Sequence, residues 1–166
     1  MARREAEDTV TQSVLERLID REPTVSSERT PSRAQSVRQL KASLSRDLEW
    51  LLNTRRTPDP AAAEFRELEH SLYNFGLPDV TAMNFQSSRD RARLARVLEQ
   101  AVAIFEPRIS RIKVVSLEAA PGSQHILRFQ IEGLLQMEPA PEFIAFDTVL
   151  QLSSGEYQVK GEPSAG

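Results

Sequence analysis

The sequence predicts an α+β fold: N-terminal helices packed on one face of a small antiparallel sheet formed by the C-terminal half. Two observations carry this expectation. Apolar residues recur at helical spacing as far as Phe105, and from Ile109 onward the period drops to two. Prolines fall where each periodic run stops, and since proline breaks helix and central strand alike, the segments between them are the elements. Helices first and strands afterwards is the order of an α+β domain.

The first element spans residues 9–20, where Val10, Val14, Leu15, Leu18 and Ile19 form a short amphipathic helix. A polar stretch with Pro23 and Pro31 follows, so residues 1–35 read as a helix and linker ahead of a domain at 36–160, with a flexible tail at 161–166. A tethered helix of about three turns is marginal alone. It needs a surface, on its own domain or on a partner.

The clearest helix carries Val37, Leu40, Leu44, Leu48, Leu51 and Leu52, with Ser36 as the expected N-cap. Trp50 points away from that leucine stripe, toward a second surface or a covering loop; large aromatics in such positions are common at interfaces. After Pro58 and Pro60, a short helical stretch at 61–72 leads into a turn at 73–79, where Asn74 and Gly76 suit positive φ. Ser87 to Asp90 reads as a capping-box variant opening a helix that buries Leu94, Val97, Leu98, Ala101, Val102 and Phe105 and stops at Glu106-Pro107.

Strands are expected at 109–118, at 127–135 and from Ile144 to Leu152, with Ser154-Gly155 turning the chain into a last strand at 157–160. Gly133 marks a bulge or a close backbone approach, and Pro121-Gly122 a turn. No repeat or low-complexity tract interrupts this order.

With 166 residues and 40% apolar content, the chain suits one ordinary domain with a modest core, to which subunit contacts can add stability. The net charge of −3 is unequally spread. Between Arg89 and Lys113, seven basic residues meet three acidic ones, whereas Glu118, Glu132, Glu138, Glu142, Asp147, Glu156 and Glu162 dominate the rest. Such polarity suits complementary protein partners, or two ordinary solvated faces. The absence of cysteine excludes disulfides and thiolate chemistry and is compatible with the cytosol. No apolar run approaches the roughly 18 residues of a membrane span, and the polar start from Met1 to Glu5 shows no signal peptide. The expectation is a cytoplasmic protein without membrane insertion.

The catalytic inventory is poor. His70 and His125 stand apart from any nucleophile or metal cluster, and no phosphate loop or hydrolase elbow is present. A glycan hydrolase needs one acid in an apolar pocket and a second nearby. Asp47 and Glu49, or Glu64, Glu67 and Glu69, lie instead on polar faces interleaved with arginine. No cofactor, metal or small-molecule substrate is implied. Nucleic-acid binding is the alternative from another class: Arg89, Arg93 and Arg96 share a helix face able to track phosphates, although no aromatics interleave them. A glycan hydrolase ranks behind it.

Glu106 is a carboxylate at the negative end of a helix dipole, an arrangement costing about 0.3–1 kcal/mol unless Arg108 or an external donor neutralises it. Arg108 also presents a planar fork suited to the carbonyls or carboxylate of a partner.

Residues 46–55 (RDLEWLLNTR), 74–79 (NFGLPD) and 105–108 (FEPR) together resemble the signature of TssE, the type VI secretion baseplate subunit related to phage tail wedge proteins once called lysozyme-like. The leader at 13–18 followed by Pro23 is similar as well. The resemblance implies a non-enzymatic wedge component at a membrane-docked baseplate, sitting with TssF and TssG and with TssK as a further contact. From it the contractile TssB–TssC sheath begins to polymerise. It also implies that Glu106, Pro107 and Arg108 meet the wedge core bundle, with Trp50 and Arg55 as further partner-binding residues. The family's fold is similar to the strand-exchanging part of the sheath subunit. A sheet edge near 157–160 or 109–118 is therefore expected to be open to a strand from another chain.

Overall fold

The computed structural model describes Val14, Leu18 and residues 32–59, 64–117 and 125–161. Helix α1 (Arg33–Asn53) and helix α2 (Ser88–Phe105) precede strands β1 (Ile109–Leu117), β2 (Ile126–Leu135), β3 (Glu142–Gln151) and β4 (Glu156–Lys160). The strands form one antiparallel sheet in the order β1-β2-β3-β4, so β1 and β4 are its edges. This is the expected α+β architecture, with α2 packed against β1 and α1 against β4.

Helix α1 opens a turn earlier than its leucine pattern suggests. Ser32 is the N-cap: its hydroxyl accepts from Gln35 N, and Gln35 Oε1 accepts from Ser32 N, a reciprocal box that satisfies two donors. Ser36, the expected cap, lies inside the first turn, 1% exposed, and donates its hydroxyl to Ser32 O. Both serines have glutamine three residues on, so the helix extends to the earlier one, where Pro31 bars further continuation. Leu40, Leu44, Leu48, Leu51 and Leu52 are buried against Leu94, Leu98, Ala101 and Val102 of α2 and the inward sheet residues Phe129, Ile131, Ile144, Phe146 and Leu150. Val37, Val97 and Phe105 are only partly covered.

Three further expectations change. Ser87 caps α2 without a side-chain bond. Its own N–H already donates to Asn84 O, so Asp90 turns to the Asn84 N–H instead of closing a box. Across 64–75 the chain forms two 3-10 turns, Arg66–His70 and Leu72–Asn74, in place of an α-helix. Phe65 and Leu72 are 56% and 85% exposed, so no buried stripe holds a regular helix there. In the turn that follows, Gly76 alone takes positive φ (+103°); Asn74 closes the second 3-10 turn.

β1 bulges between Ser110 and Lys113, with Arg111 in the left-handed region at φ 51°. Gly133 on β2 keeps unbroken register with Ile144, so the irregularity belongs to β1. Gly133 provides the close approach: a Cβ there would lie 2.4 Å from Ile109 Cγ2 and 3.1 Å from Ser110 O. Of the expected N-terminal helix, Val14 and Leu18 are helical and exposed; its other residues, the 121–122 turn and residues 162–166 lie outside the described residues.

Tyr157 points inward from β4 at 3% exposure, and its hydroxyl has no hydrogen-bond partner among the described residues. Burial pushes the phenol above its ordinary pKa. The unfolded chain therefore loses this proton from about pH 10 while the folded chain retains it, so stability falls as pH rises past that point. Tyr157→Phe is expected to stabilise the fold by about 1 kcal/mol at neutral pH and to flatten the alkaline decline. Urea midpoints at about pH 8 and pH 11 for both proteins check this.

Candidate functional site

The corner where α2 gives way to β1 brings a cation and two carboxylates together. Pro107 cannot continue the helix, so α2 stops at Phe105 with Glu106 as its C-cap, its N–H bonded to Val102 O at 2.9 Å. That stop turns Glu106 inward, where it is 5% exposed, and leaves Pro107 on the surface. Arg108 then folds back. Its Nε donates to Glu106 Oε1 at 2.6 Å, its Nη2 to Glu106 Oε2 at 2.5 Å, and its backbone N to Oε1 at 3.3 Å. The same Nη2 reaches across to Asp47 Oδ2 on α1 at 2.7 Å. The Arg108 carbonyl accepts from Gln136 N at 2.8 Å, which ties the corner to the end of β2.

The fork of one guanidinium thus neutralises a carboxylate at the wrong end of a helix dipole and links α1 to the α2–β1 corner. The hydrogen bonds that Arg108 donates to Glu106, and then to Asp47, hold it firmly in its charged form. Local pairing is therefore the answer to the question the Glu106 position raises.

From Asp47 the network continues outward. Asp47 Oδ1 accepts from Arg46 Nη2 at 3.3 Å, and the same nitrogen donates to Ser43 Oγ at 3.2 Å. The Arg46 guanidinium lies 5.6 Å from the centroid of Trp50, one helical turn further on. Trp50 is 59% exposed. A patch linked by contacts consequently runs from the Trp50 ring through Arg46, Asp47 and Arg108 to Glu106, the neighbour in sequence of the exposed Pro107.

Of the residues singled out in the sequence, Glu106, Pro107, Arg108 and Trp50 are brought into this one patch. Arg55 is not. It lies exposed past the end of α1, in an isolated parallel bridge with Leu77, and its charge acts on Asp79. Asp79 is held below the ordinary carboxylate range chiefly by the Thr81 N–H, with Arg55 as a lesser cause. The 74–79 segment has a packing role: Leu77 exchanges backbone bonds of 2.8 Å with Thr54 and Arg56, and Phe75 meets Phe105 edge-on at 5.3 Å. It clamps the C-terminal ends of both helices together.

Asp47 is the member that sequence reasoning did not connect to the corner, because 61 positions separate it from Arg108. The candidate acids Glu64, Glu67 and Glu69, and both histidines, are surface residues, and Glu49 is engaged with the backbone of β4. Arg89, Arg93 and Arg96 are exposed on the outer face of α2. Among the described residues no group of His, Cys, Asp or Glu side chains is placed to hold a metal ion, and no helix is long and apolar enough to cross a membrane.

The profile of the family described as baseplate wedge protein gp25 matches residues 38–140, a span that includes Asp47, Trp50 and the whole 105–108 corner. A solved structure described as the baseplate complex from the type VI secretion system is similar over 69% of this chain and 96% of that chain, at 23% identity and a TM-score of 0.45. No curated protein matches the chain.

Proposed function

Because the chain belongs to the baseplate wedge protein gp25 family, we propose that it is a TssE-type subunit of a type VI secretion baseplate, acting through binding and without catalysis. Its partners in this reading are TssF and TssG, with TssK as a further contact, at the cytoplasmic side of a membrane-docked baseplate. The TssB–TssC sheath starts from its sheet by strand addition. The sequence segments at 46–55, 74–79 and 105–108 support the TssE assignment.

The observation that carries the binding reading is the patch around Trp50. A ring left 59% exposed beside a hydrogen-bonded charge cluster gains little for the isolated fold and suits burial by a partner. The cluster supplies rigidity: with Glu106 and Asp47 both bonded to Arg108, the corner keeps one shape before a partner arrives.

The test is co-purification of the full chain with TssF and TssG homologues, comparing Trp50→Ala with the parent. An anchoring tryptophan typically contributes 2 kcal/mol or more, so affinity should fall about 30-fold or more while the melting temperature of the isolated chain stays within about 2 °C. Unchanged complex formation would remove Trp50 from the interface, and no complex with the parent chain would remove the reading itself.

A further inference from the structure

An open edge is expected near 157–160 or near 109–118, and the two edges differ. In an antiparallel edge strand, alternate residues turn N–H and C=O away from the sheet, and those groups are what an added strand recognises. On β4 the outward residues are Tyr157 and Val159, because their N–H and C=O groups bond to side chains beyond the sheet edge. All four of their backbone groups are occupied by side chains of α1. Asn53 Oδ1 accepts from Tyr157 N at 2.8 Å, and Asn53 Nδ2 donates to Tyr157 O at 2.8 Å. Glu49 Oε2 accepts from Val159 N at 3.0 Å, and Ser45 Oγ donates to Val159 O at 3.1 Å.

The match is geometric. Ser45, Glu49 and Asn53 recur every four residues, so they line one helix face at steps of about 6 Å. Outward groups of a strand recur every second residue, about 6.8 Å apart. A helix running antiparallel to β4 can therefore keep a polar face in step with the outward residues, with Asn53 beside Tyr157 and Glu49 and Ser45 beside Val159. Asn53 supplies an acceptor and a donor to one residue, the same pair of bonds a neighbouring strand would supply.

β1 lacks such a ladder. Glu99 Oε2 accepts from Val114 N at 3.0 Å, which shows that Val114 faces outward. By alternation Ser116 does too. Among the described residues, Glu99 is the one side chain bonded to the outward backbone groups of Val114 and Ser116.

We infer that Ser45, Glu49 and Asn53 determine the polarity of strand addition: they seal β4 against any incoming strand, a second copy of this chain included, and assign β1 as the accepting edge. That a sheath strand is what β1 accepts rests on the function proposed above. The sealing of β4 does not, so it is tested on the isolated full-length chain.

Amide hydrogen exchange read at single residues is the first measurement. In the parent both Tyr157 and Val159 should be protected although they sit on an edge. Asn53→Ala should speed exchange at Tyr157 at least 10-fold with little change at Val159, and Glu49→Ala should do the reverse. Glu49→Gln, which keeps an acceptor oxygen, should resemble the parent. General destabilisation would speed both amides together and would overturn the inference, as would protection unchanged in either variant.

The second measurement uses the absence of cysteine. Gln158→Cys in the Glu49→Ala/Asn53→Ala background should give a disulfide-linked dimer through paired β4 edges, whereas Gln158→Cys alone stays monomeric. A double variant that is folded and monomeric without cross-links would overturn the sealing role. Should that variant unfold, the single-site exchange pattern of Asn53→Ala decides the matter. Loss of TssF and TssG binding in the parent would cancel the sheath assignment and leave this result standing.

Discussion

Arg108→Ala should cost about 3 kcal/mol of folding stability, far more than an ordinary arginine on a surface corner. Glu106 is 5% exposed, and its two oxygens take their side-chain donors from this one guanidinium. Removing the cation leaves a buried carboxylate unpaired at the negative end of α2 and releases Asp47 from the corner. The figure sits at the low end for buried pairs because the Arg108 and Asp47 side chains are 27% and 28% exposed, which lets water replace part of what is lost.

Arg108→Lys keeps the charge but cannot bond both Glu106 oxygens and Asp47 in one plane, so it should fall between the parent and the alanine variant. Removing the Glu106 charge as well should return part of the loss. A double-mutant cycle over Arg108→Ala and Glu106→Gln, followed by urea denaturation, measures the coupling. A loss below about 0.5 kcal/mol would mean that Arg108 behaves as a solvated surface arginine. The same physics bears on function: weakened assembly in Arg108→Ala mixes a damaged fold with a lost contact, and this is why Trp50→Ala is the cleaner probe of the interface.

Gly76→Ala is expected to be comparably damaging, at about 3 kcal/mol, for a different reason. Gly76 sits at φ +103°, where an L side chain is strained, and a Cβ there would lie 2.4 Å from Thr54 O and 2.8 Å from Thr54 C. Those are backbone atoms at the end of α1, and Thr54 O already accepts from Leu77 N. Relief requires opening the clamp that ties α1 to α2. The melting temperature should drop by roughly 6–12 °C for a chain of this size. Gly133→Ala offers the contrast: its nearest clash at 2.4 Å is the Ile109 Cγ2 methyl, a side-chain atom that can shift, and about 1 kcal/mol is expected. A Gly76→Ala protein melting within about 2 °C of the parent would show that the 74–79 turn does not hold the helices together.

Much of the fold could be read directly because it rests on local periodicity. The leucines of α1, the apolar stripe of α2 and the alternation in β2 and β3 each report burial through spacing alone; the α1 leucines are buried as their period requires, and in α2 Leu94, Leu98, Ala101 and Val102 are buried while Val97 and Phe105 are partly covered. Pro107 and Gly76 could be read for the same reason, since their effect is on their own backbone. Local signals also misled. Ser36 and Ser32 both have the composition of a cap, and the reciprocal bonds between Ser32 and Gln35 place the cap at the earlier one. The stretch at 61–72 reads as helical in isolation, but its apolar residues Phe65 and Leu72 have no facing surface to bury them.

Residue order alone determined that helices precede strands, where the core lies along the chain, and that Glu106 needs a cation nearby. Tertiary structure decided which cation and what it joins: Arg108 reaches Asp47 across 61 residues. It decided also that Ser45, Glu49 and Asn53, which read as an ordinary polar face, meet the backbone of β4 more than a hundred residues later. Periodicity encodes which side of an element is buried. It carries no information about which polar group waits on the element packed beside it, because a hydrogen bond between distant segments leaves no regular spacing in either.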